Sequence, residues 1–464
     1  MPSSDKRTGR RGTCRPTICK GVYMGLSVRQ IASEVYVLFI LTIVGYLAKY
    51  GLNIFLAHHV TTGMYGRYSV AIKVLDILVL LTLFGTNVGA SRFLAKYLKF
   101  HSVQSTVNYI AWNIKLVSVT FSMMFIFSLI LLGVMFFLHY LGIHGIRQYH
   151  LLVYILLIVP VAAIPTLLQS FLLCSQHIYS PTILSQIVLY SVQLALFSII
   201  SLFVIYPLGS FTIASVILIS YLIVIPVTSL VINTELWSMV IFGFKRVRHA
   251  EVMDPTWIQA SSRWIANTII FQLICVLDLL IVYIVGKNPL SVAHYAAVLT
   301  IIYLIWLLPA TLYQRIKPKI SSLLTNESGR TELQTLLNKT NAIVISLVIG
   351  LGFLAIYFST ELLSYFGPTY IAAKPALIIL TIGACIAACA KIATLLLIYG
   401  DFEHTMMLIR ATQLVLMFVL VIPATYFYGI TGTAIATAFV MCVGPILAIV
   451  IAHKKLGLRS AFII

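Results

Sequence analysis

Eight charged side chains stand inside long apolar runs of this sequence: Lys49, Lys73, Lys115, Arg263, Lys391 and Arg410, with Asp76 and Asp278. A charge at the centre of a lipid-facing helix costs on the order of 2.5–3.5 kcal/mol, so a chain that keeps eight should turn them toward a shared hydrated interior. Six of the eight are basic. A cationic cavity in a low-dielectric surround attracts anions strongly. The fitting cargo carries a diphosphate or an acidic sugar, whereas an exporter of cations should show the opposite excess. Lys49, Lys115, Arg263 and Arg410 lie toward the ends of their runs, where snorkelling to an interface is the alternative; Lys73 and Lys391 sit deeper. Lys73 and Asp76 are three residues apart and can pair across one helical turn. Arg263 and Asp278 are separated by about 22 Å along a helix, by the 1.5 Å rise, so neither satisfies the other. Asp278 has no base within a turn of its own helix. That makes it the candidate for proton or sodium coupling, with a structural ion pair to Arg410 or Lys49 of another helix as the alternative. Asp76 reads as a fixed partner of Lys73.

Other chemistry is missing from the sequence. It contains no Walker A, GxSxG or HExxH pattern, so energy should come from a gradient or from the cargo's own concentration difference. Of the seven cysteines, Cys14, Cys19, Cys174, Cys275, Cys385, Cys389 and Cys442, five lie in apolar runs. None has CxxC or CxxxH spacing, and Cys385 with Cys389 reads as a small-residue stripe on one helix face. No metal, disulfide or cofactor is expected.

The elements that must position the charges follow from composition. In 464 residues, 61% are hydrophobic and 9% charged, with mean hydropathy +1.03. A soluble globule of this kind would lack the polar surface to cover itself. The long continuous runs exclude an outer-membrane barrel, whose strands alternate. The expected fold class is an all-α polytopic membrane protein. A span needs about 20 mostly apolar residues. Twelve runs qualify: 31–57, 67–91, 110–138, 151–174, 181–205, 209–232, 262–285, 292–313, 341–364, 375–398, 405–427 and 429–452. Pro160, Pro165, Pro226, Pro309, Pro423 and Pro445 inside them suggest kinks.

The net charge of +19 would suggest nucleic acid in a soluble protein; here loop topology explains it, and no nucleic-acid partner is expected. With the N-terminus placed in the cytoplasm, Lys and Arg fall at Lys6, Arg7, Arg10, Arg11, Arg15, Lys20, Arg29, Arg92, Lys96, Lys99, Lys245, Arg246, Arg248, Arg315, Lys317, Lys319, Arg330, Lys339, Lys454, Lys455 and Arg459 on the inner side. Only Arg67, Arg147, Lys287 and Lys374 fall outside. This asymmetry requires an even number of spans with both termini cytoplasmic. The first 24 residues have no apolar h-region and do not read as a signal peptide; Met24 is an alternative start. The tail reads as a topology signal, with an anionic-lipid contact as the other reading. The external loops are short, the longest about 139–150, which argues against a membrane glycan polymerase or acyltransferase.

The two halves resemble each other. Residues 170–178 (SFLLCSQHI) align with 394–402 (TLLLIYGDF) at an offset of 224, and 207–215 (PLGSFTIAS) with 428–437 (YGITGTAIAT) at about 222; Tyr68 to Ala71 align with Tyr295 to Val298 at 227. Six spans separate the copies, so the halves share one orientation and form a parallel repeat about an axis along the membrane normal. The expected architecture is two pseudo-symmetric six-helix bundles around a central cationic cavity. Its parts are a basic tail (1–30), an N-terminal lobe (31–233), a cytoplasmic linker (234–261), a C-terminal lobe (262–453) and a C-terminal tail (454–464). His58 and His59 read as an interfacial pair, Glu34 as a wetted residue, and Trp112, Trp257, Trp264 and Trp306 as interfacial belt. Asp401 and Glu403 read as solvated turn residues, and 314–340 as an amphipathic cytoplasmic helix with Leu333, Leu336 and Leu337 on its apolar face.

Three stretches carry a family resemblance. The first runs from Phe55-Leu56-Ala57 through Met64-Tyr65-Gly66-Arg67-Tyr68-Ser69 and Phe84-Gly85 to Ala90-Ser91-Arg92-Phe93-Leu94-Ala95. The second is Leu363-Ser364-Tyr365-Phe366-Gly367-Pro368-Thr369-Tyr370 with Ala373. The third is Ile422-Pro423 and Tyr428-Gly429-Ile430-Thr431-Gly432-Thr433-Ala434-Ile435-Ala436-Thr437. In order, over roughly 26–456, they resemble the polysaccharide-exporter branch of the multidrug/oligosaccharidyl-lipid/polysaccharide (MOP) flippase superfamily, specifically its Wzx-type O-antigen flippases. The resemblance implies a twelve-helix, two-lobe fold with a V-shaped cleft. It implies movement of an undecaprenyl-diphosphate-linked oligosaccharide from the inner to the outer leaflet of a bacterial cytoplasmic membrane, with membrane lipids and other polysaccharide-assembly proteins as partners. The lipid II flippase branch usually has fourteen spans, which counts against it. The alternative within the superfamily is a drug/cation antiporter, which should have an acidic cavity. Thr431 and Thr433 depart from the family's usual Asn or Gly.

Overall fold

The computed structural model describes residues 28–99, 102–141, 149–174, 179–203, 208–247, 255–286, 288–313, 320, 323, 327–400 and 402–457. Among these residues the regular structure is helix throughout, as lipid demands of a chain that must satisfy every backbone amide within its own segment. The N-terminal half comprises α1 (Val28–His59), α2 (Thr62–Leu83), α3 (Thr86–Lys99), α4 (Val103–Tyr140), α5 (His150–Cys174), α6 (Tyr179–Phe203) and α7 (Ser210–Val231). A connecting helix α8 (Thr234–Arg246) follows. The C-terminal half comprises α9 (Pro255–Val285), α10 (Pro289–Leu312), α11 (Glu327–Tyr357), the short α12 (Ser359–Ser364), α13 (Lys374–Cys389), α14 (Lys391–Tyr399), α15 (Glu403–Leu416) and α16 (Ile422–Leu456).

Ten of these stretches are long and apolar enough to cross a membrane. The other expected segments account for the difference from twelve. α2 carries Arg67, Lys73 and Asp76 in 22 residues, too many charges for an apolar span. The 54-residue stretch Glu403–Leu456 is a hairpin. Gly429 adopts φ 61°, ψ −145°, a combination open to glycine, and the chain doubles back there. The Thr425 and Thr433 hydroxyls lie 2.8 Å apart, Gln413 Nε2 donates to the Val440 carbonyl at 2.9 Å, and Lys455 Nζ reaches the Thr405 hydroxyl at 3.2 Å. These pairs zip α15 against the far part of α16.

Two expected segments differ in detail. Span 67–91 is two helices: Phe84 (φ 47°) and Gly85 (φ 74°) break it. A Cβ on Gly85 would lie 2.7 Å from the Ser261 carbonyl of α9, so the break lies where α9 crosses. The region 314–340 does not form a separate amphipathic helix over its described part. α11 runs unbroken from Glu327 into the span, and Leu333 and Leu337 are buried in its packing against the C-terminal half. Asp401 lies outside the described residues.

The repeat is visible in the packing. α2 with α5, α5 with α7, α4 with α5, α6 with α7 and α1 with α6 have counterparts in α10 with α13, α13 with α16, α11 with α13, α15 with α16 and α9 with α15. Each half has a π segment at a corresponding place: Ile183–Val188 within α6, and Met417–Val421 joining α15 to α16. The halves meet through α2 on α10, with α1 on α10 and α9 on α2 as the exchanged pair. At the end of the bundle where α1 finishes they are clasped. Gly66 lets α2 approach α10 closely, since a Cβ there would lie 3.0 Å from the Ala293 amide nitrogen. Tyr65 packs on Phe366 and Tyr370 with ring centroids 6.1 Å apart in both cases. Tyr50 donates to the Leu362 carbonyl at 3.2 Å, and His58 Nε2 lies 2.8 Å from the Tyr365 carbonyl.

Candidate functional site

One face of α9 carries Asn267, Phe271, Cys275 and Asp278 at helical spacing. Arg410 of α15 comes to the first two: its Nη1 donates to Asn267 Oδ1 at 2.6 Å and to the Asn267 carbonyl at 3.1 Å, while its guanidinium lies 4.8 Å from the Phe271 ring centre. Its Nε is buried without a hydrogen-bond partner among the described residues. Lys391, at the start of α14, holds its ammonium 5.8 Å from the Trp306 ring centre on α10. The Cys275 thiol lies within through-space reach of the charges of Lys73, on α2 of one half, and of Lys391 and Arg410, on α14 and α15 of the other.

Asp278 stands just beyond. It is 2% exposed; the Tyr295 hydroxyl donates to its Oδ2 at 2.9 Å and the Leu279 amide to its Oδ1 at 2.7 Å. Its partners are therefore a phenol and a backbone amide. Lys73 acts on it only through space, and Arg410 is engaged by Asn267. The expected Lys73–Asp76 contact is not a close pair: Asp76 is exposed, and it feels Lys49 first and Lys73 second as through-space charges. Lys49 is held over aromatic rings, 4.3 Å from the centre of Tyr303 and 5.4 Å from that of Tyr190. Tyr46 stacks between Tyr50 and Tyr303, with centroids 5.9 and 6.5 Å away.

One expected site residue, Lys115, is not brought to this place. Lys115 lies on the outer face of α4, exposed beside Ser118 and Val119 and opposite the buried face of Ile110, Asn113 and Val117. The Arg263 side chain lies outside the described residues. The tryptophans also differ from the belt expected of them. Trp306 carries Lys391, and Trp112 and Trp257 are buried in a cluster with Phe93, Tyr97, Tyr109 and Trp264, where Trp257 Nε1 donates to the Tyr97 hydroxyl at 3.0 Å. Convergence of α3, α4 and α9 at that end supplies neighbours that helix periodicity cannot reveal. Sequence reasoning missed Tyr46, Tyr190, Tyr303 and Asn267. One usable signal existed for Tyr303: the repeat offset of 227 places it over Asp76.

Two similar helical halves with charged groups on the helices between them define an all-helical, multi-pass membrane protein. The solved structures it resembles share that fold. They include an inward-facing multidrug resistance MATE family transporter of the MOP superfamily (11% identity, TM-score 0.71, 94% of this chain and 96% of that one). Another is a MOP superfamily transporter from Pyrococcus furiosus, described as having a binding pocket of reversed polarity (12%, TM-score 0.64, 91% and 95%). A third is the Vibrio cholerae MATE transporter VcmN in the bent form (14%, TM-score 0.59, 92% and 98%). No curated protein matches the sequence. Residues 31–280 match the family described as Polysaccharide biosynthesis protein; that is more than half of the chain, and the chain belongs to this family.

Proposed function

We propose that this protein is a flippase. It moves an undecaprenyl-diphosphate-linked oligosaccharide, an O-antigen or similar repeat unit, from the inner to the outer leaflet of a bacterial cytoplasmic membrane by alternating access. The observation that carries this reading is the placing of Lys391 over Trp306 and of Arg410 on Asn267, whose charges reach Cys275 together with that of Lys73, while the nearby carboxylate of Asp278 is sealed away and bonded to Tyr295. A diphosphate entering there exchanges water for charge-assisted hydrogen bonds, which are about twice as strong as neutral ones. A cationic drug would meet repulsion at the same point, so the charge disfavours the antiporter alternative. Family membership supports polysaccharide assembly as the setting.

Coupling to a proton or sodium gradient falls to a carboxylate. Asp278 is the proposed one, since it joins α9 to α10 and a change of its partner alters the packing of helices that bridge the halves. Asp278→Asn should fold and bind cargo but lose dependence on the gradient; transport with the dependence intact would make Asp278 structural. Both termini are proposed to be cytoplasmic. Reporter fusions after residues 145 and 288 should report the outer side, and fusions after 250 and 325 the inner side. For the function itself, deletion of the gene in its native host should cause undecaprenyl-diphosphate-linked repeat units to accumulate on the cytoplasmic face. Unchanged distribution of those lipids would overturn the reading.

A further inference from the structure

The charged groups between the halves form two sets that differ in their carboxylate: Asp278, buried against Tyr295, in the first and Asp76, exposed, in the second. On one side stand Lys391 and Arg410, with Trp306, Phe271 and Cys275. On the other stands Asp76, exposed and within electrostatic reach of the phenols of Tyr68, Tyr190 and Tyr221. Tyr303 faces this group from α10 through the ammonium of Lys49 held over it and Tyr190. Tyr190, Tyr221 and Tyr303 are half-buried. A diphosphate is repelled by an open carboxylate, so the anionic part of a cargo belongs on the first side and something neutral and hydroxyl-rich on the second. Phenols offer both a donor and an acceptor beside a flat apolar ring. A carboxylate accepts from two hydroxyls at once, and an ammonium fixed by rings rather than by an acid keeps its N–H donors for a ligand. These are the groups a pyranose needs: ring surface for its C–H face, and paired donors and acceptors for its hydroxyls.

We infer that Asp76, Tyr190, Tyr221 and Tyr303, with Lys49, form a carbohydrate subsite that holds the glycan of the lipid-linked cargo, while Lys391 and Arg410 hold its diphosphate. Lys73 stands at the seam, acting on Asp76 and on Cys275 alike. This assignment rests on the flippase reading and adds to it a division of the cargo between two walls.

The test uses the purified full-length protein in lipid nanodiscs and three probes: undecaprenyl diphosphate without sugar, the glycosylated undecaprenyl diphosphate extracted from the source cells, and the glycan released from that lipid. Kd is read by native mass spectrometry. The wild type should bind the glycosylated lipid at least tenfold more tightly than the bare one, and the released glycan at least tenfold more weakly than the glycosylated lipid. Tyr303→Leu and Asp76→Asn should each erase most of the preference for the glycosylated lipid, at least fivefold, while binding the bare lipid within twofold of wild type. Lys391→Gln should weaken both lipids by the same factor. Asp76 is exposed and has no close partner to lose among the described residues, so Asp76→Asn decides the matter if Tyr303→Leu does not fold. Equal binding of the two lipids by the wild type, or equal weakening of both by Asp76→Asn, would overturn the carbohydrate subsite and leave the flippase reading standing. Released glycan binding as tightly as the glycosylated lipid would overturn the assignment of the diphosphate to Lys391 and Arg410. A wild type that binds neither lipid would overturn the flippase reading itself.

Discussion

The same contact occurs once in each half, with different chemistry. In the N-terminal half, Gln186 of α6 packs against Gly45 of α1 so closely that a Cβ on the glycine would lie 2.7 Å from the Gln186 Cβ. In the C-terminal half, Arg410 of α15 bonds Asn267 of α9 at 2.6 Å. The two pairs are related by the repeat: 186 and 410 differ by 224, and 45 and 267 by 222. One half holds a neutral amide with its Oε1 unpartnered where the other holds a guanidinium. Likewise Lys73 and Asp76 of α2 correspond to Thr300 and Tyr303 of α10 at the offset of 227. Backbone packing has kept the symmetry while the polar groups have lost it. A symmetric site would treat both ends of a cargo alike, whereas these two walls differ in charge and can orient a molecule that is anionic at one end and neutral at the other.

The comparison can be broken most severely by removing the seam cation together with one cation of the diphosphate wall. Lys73→Ala with Lys391→Ala should lower surface-glycan display on the order of 100-fold while leaving membrane insertion intact, since hydrogen bonds to charged groups are worth about 1.5–3 kcal/mol each. Display at the wild-type level would remove the cationic mechanism. The two carboxylates sharpen the contrast. Tyr295→Phe strips a donor from buried Asp278 and should cost about 1–3 kcal/mol of stability, read as a lowered unfolding temperature in detergent. Asp76→Asn, at an exposed position, should change that temperature far less, by the equivalent of about 0.5 kcal/mol or under; a loss equal to that of Tyr295→Phe would place Asp76 in the structural core. Gly66→Leu drives a side chain into Val292 and Ala293 and should lower the yield of folded protein at the clasp, whereas Gly63→Leu, with open space around it, should not. The smallest effect belongs to Lys115→Ala: display within twofold of wild type, because the residue lies on the outward face of α4.

Much of the fold was legible because lipid leaves one solution for long apolar runs, and because the repeat offset survived in three places. The motif residues read as family marks now have physical roles. Tyr65, Phe366 and Tyr370 are the clasp, Gly66 is the close approach beside it, and Gly429 is the turn of the last hairpin. The cations of the candidate site could be named from the sequence, as charges inside apolar runs. Their partners could not. Tyr303 and Trp306 meet Lys49 and Lys391 only when helices distant in sequence are packed, and a tyrosine in an apolar run has the same periodicity whether it faces a sugar or a leucine. Lys115 failed for the same reason in reverse, since periodicity alone does not say which face of α4 is covered.

α9 has a mechanical consequence. Near its start, Trp257 and Trp264 are gripped by aromatic residues of α3 and α4; near its end, Leu277 and Ile281 are seated among Met417, Val421, Ala436 and Val440 of the C-terminal half. It is thus a beam clamped at both ends to different bodies. Between Ile265 and Leu277 it contains neither proline nor glycine, the usual sites of sharp kinks. Such a beam resists bending, so any rocking of one half against the other must either flex it along its whole length or free one clamp. The clamp built of tryptophan is the costlier to open, having the larger apolar area to expose to water.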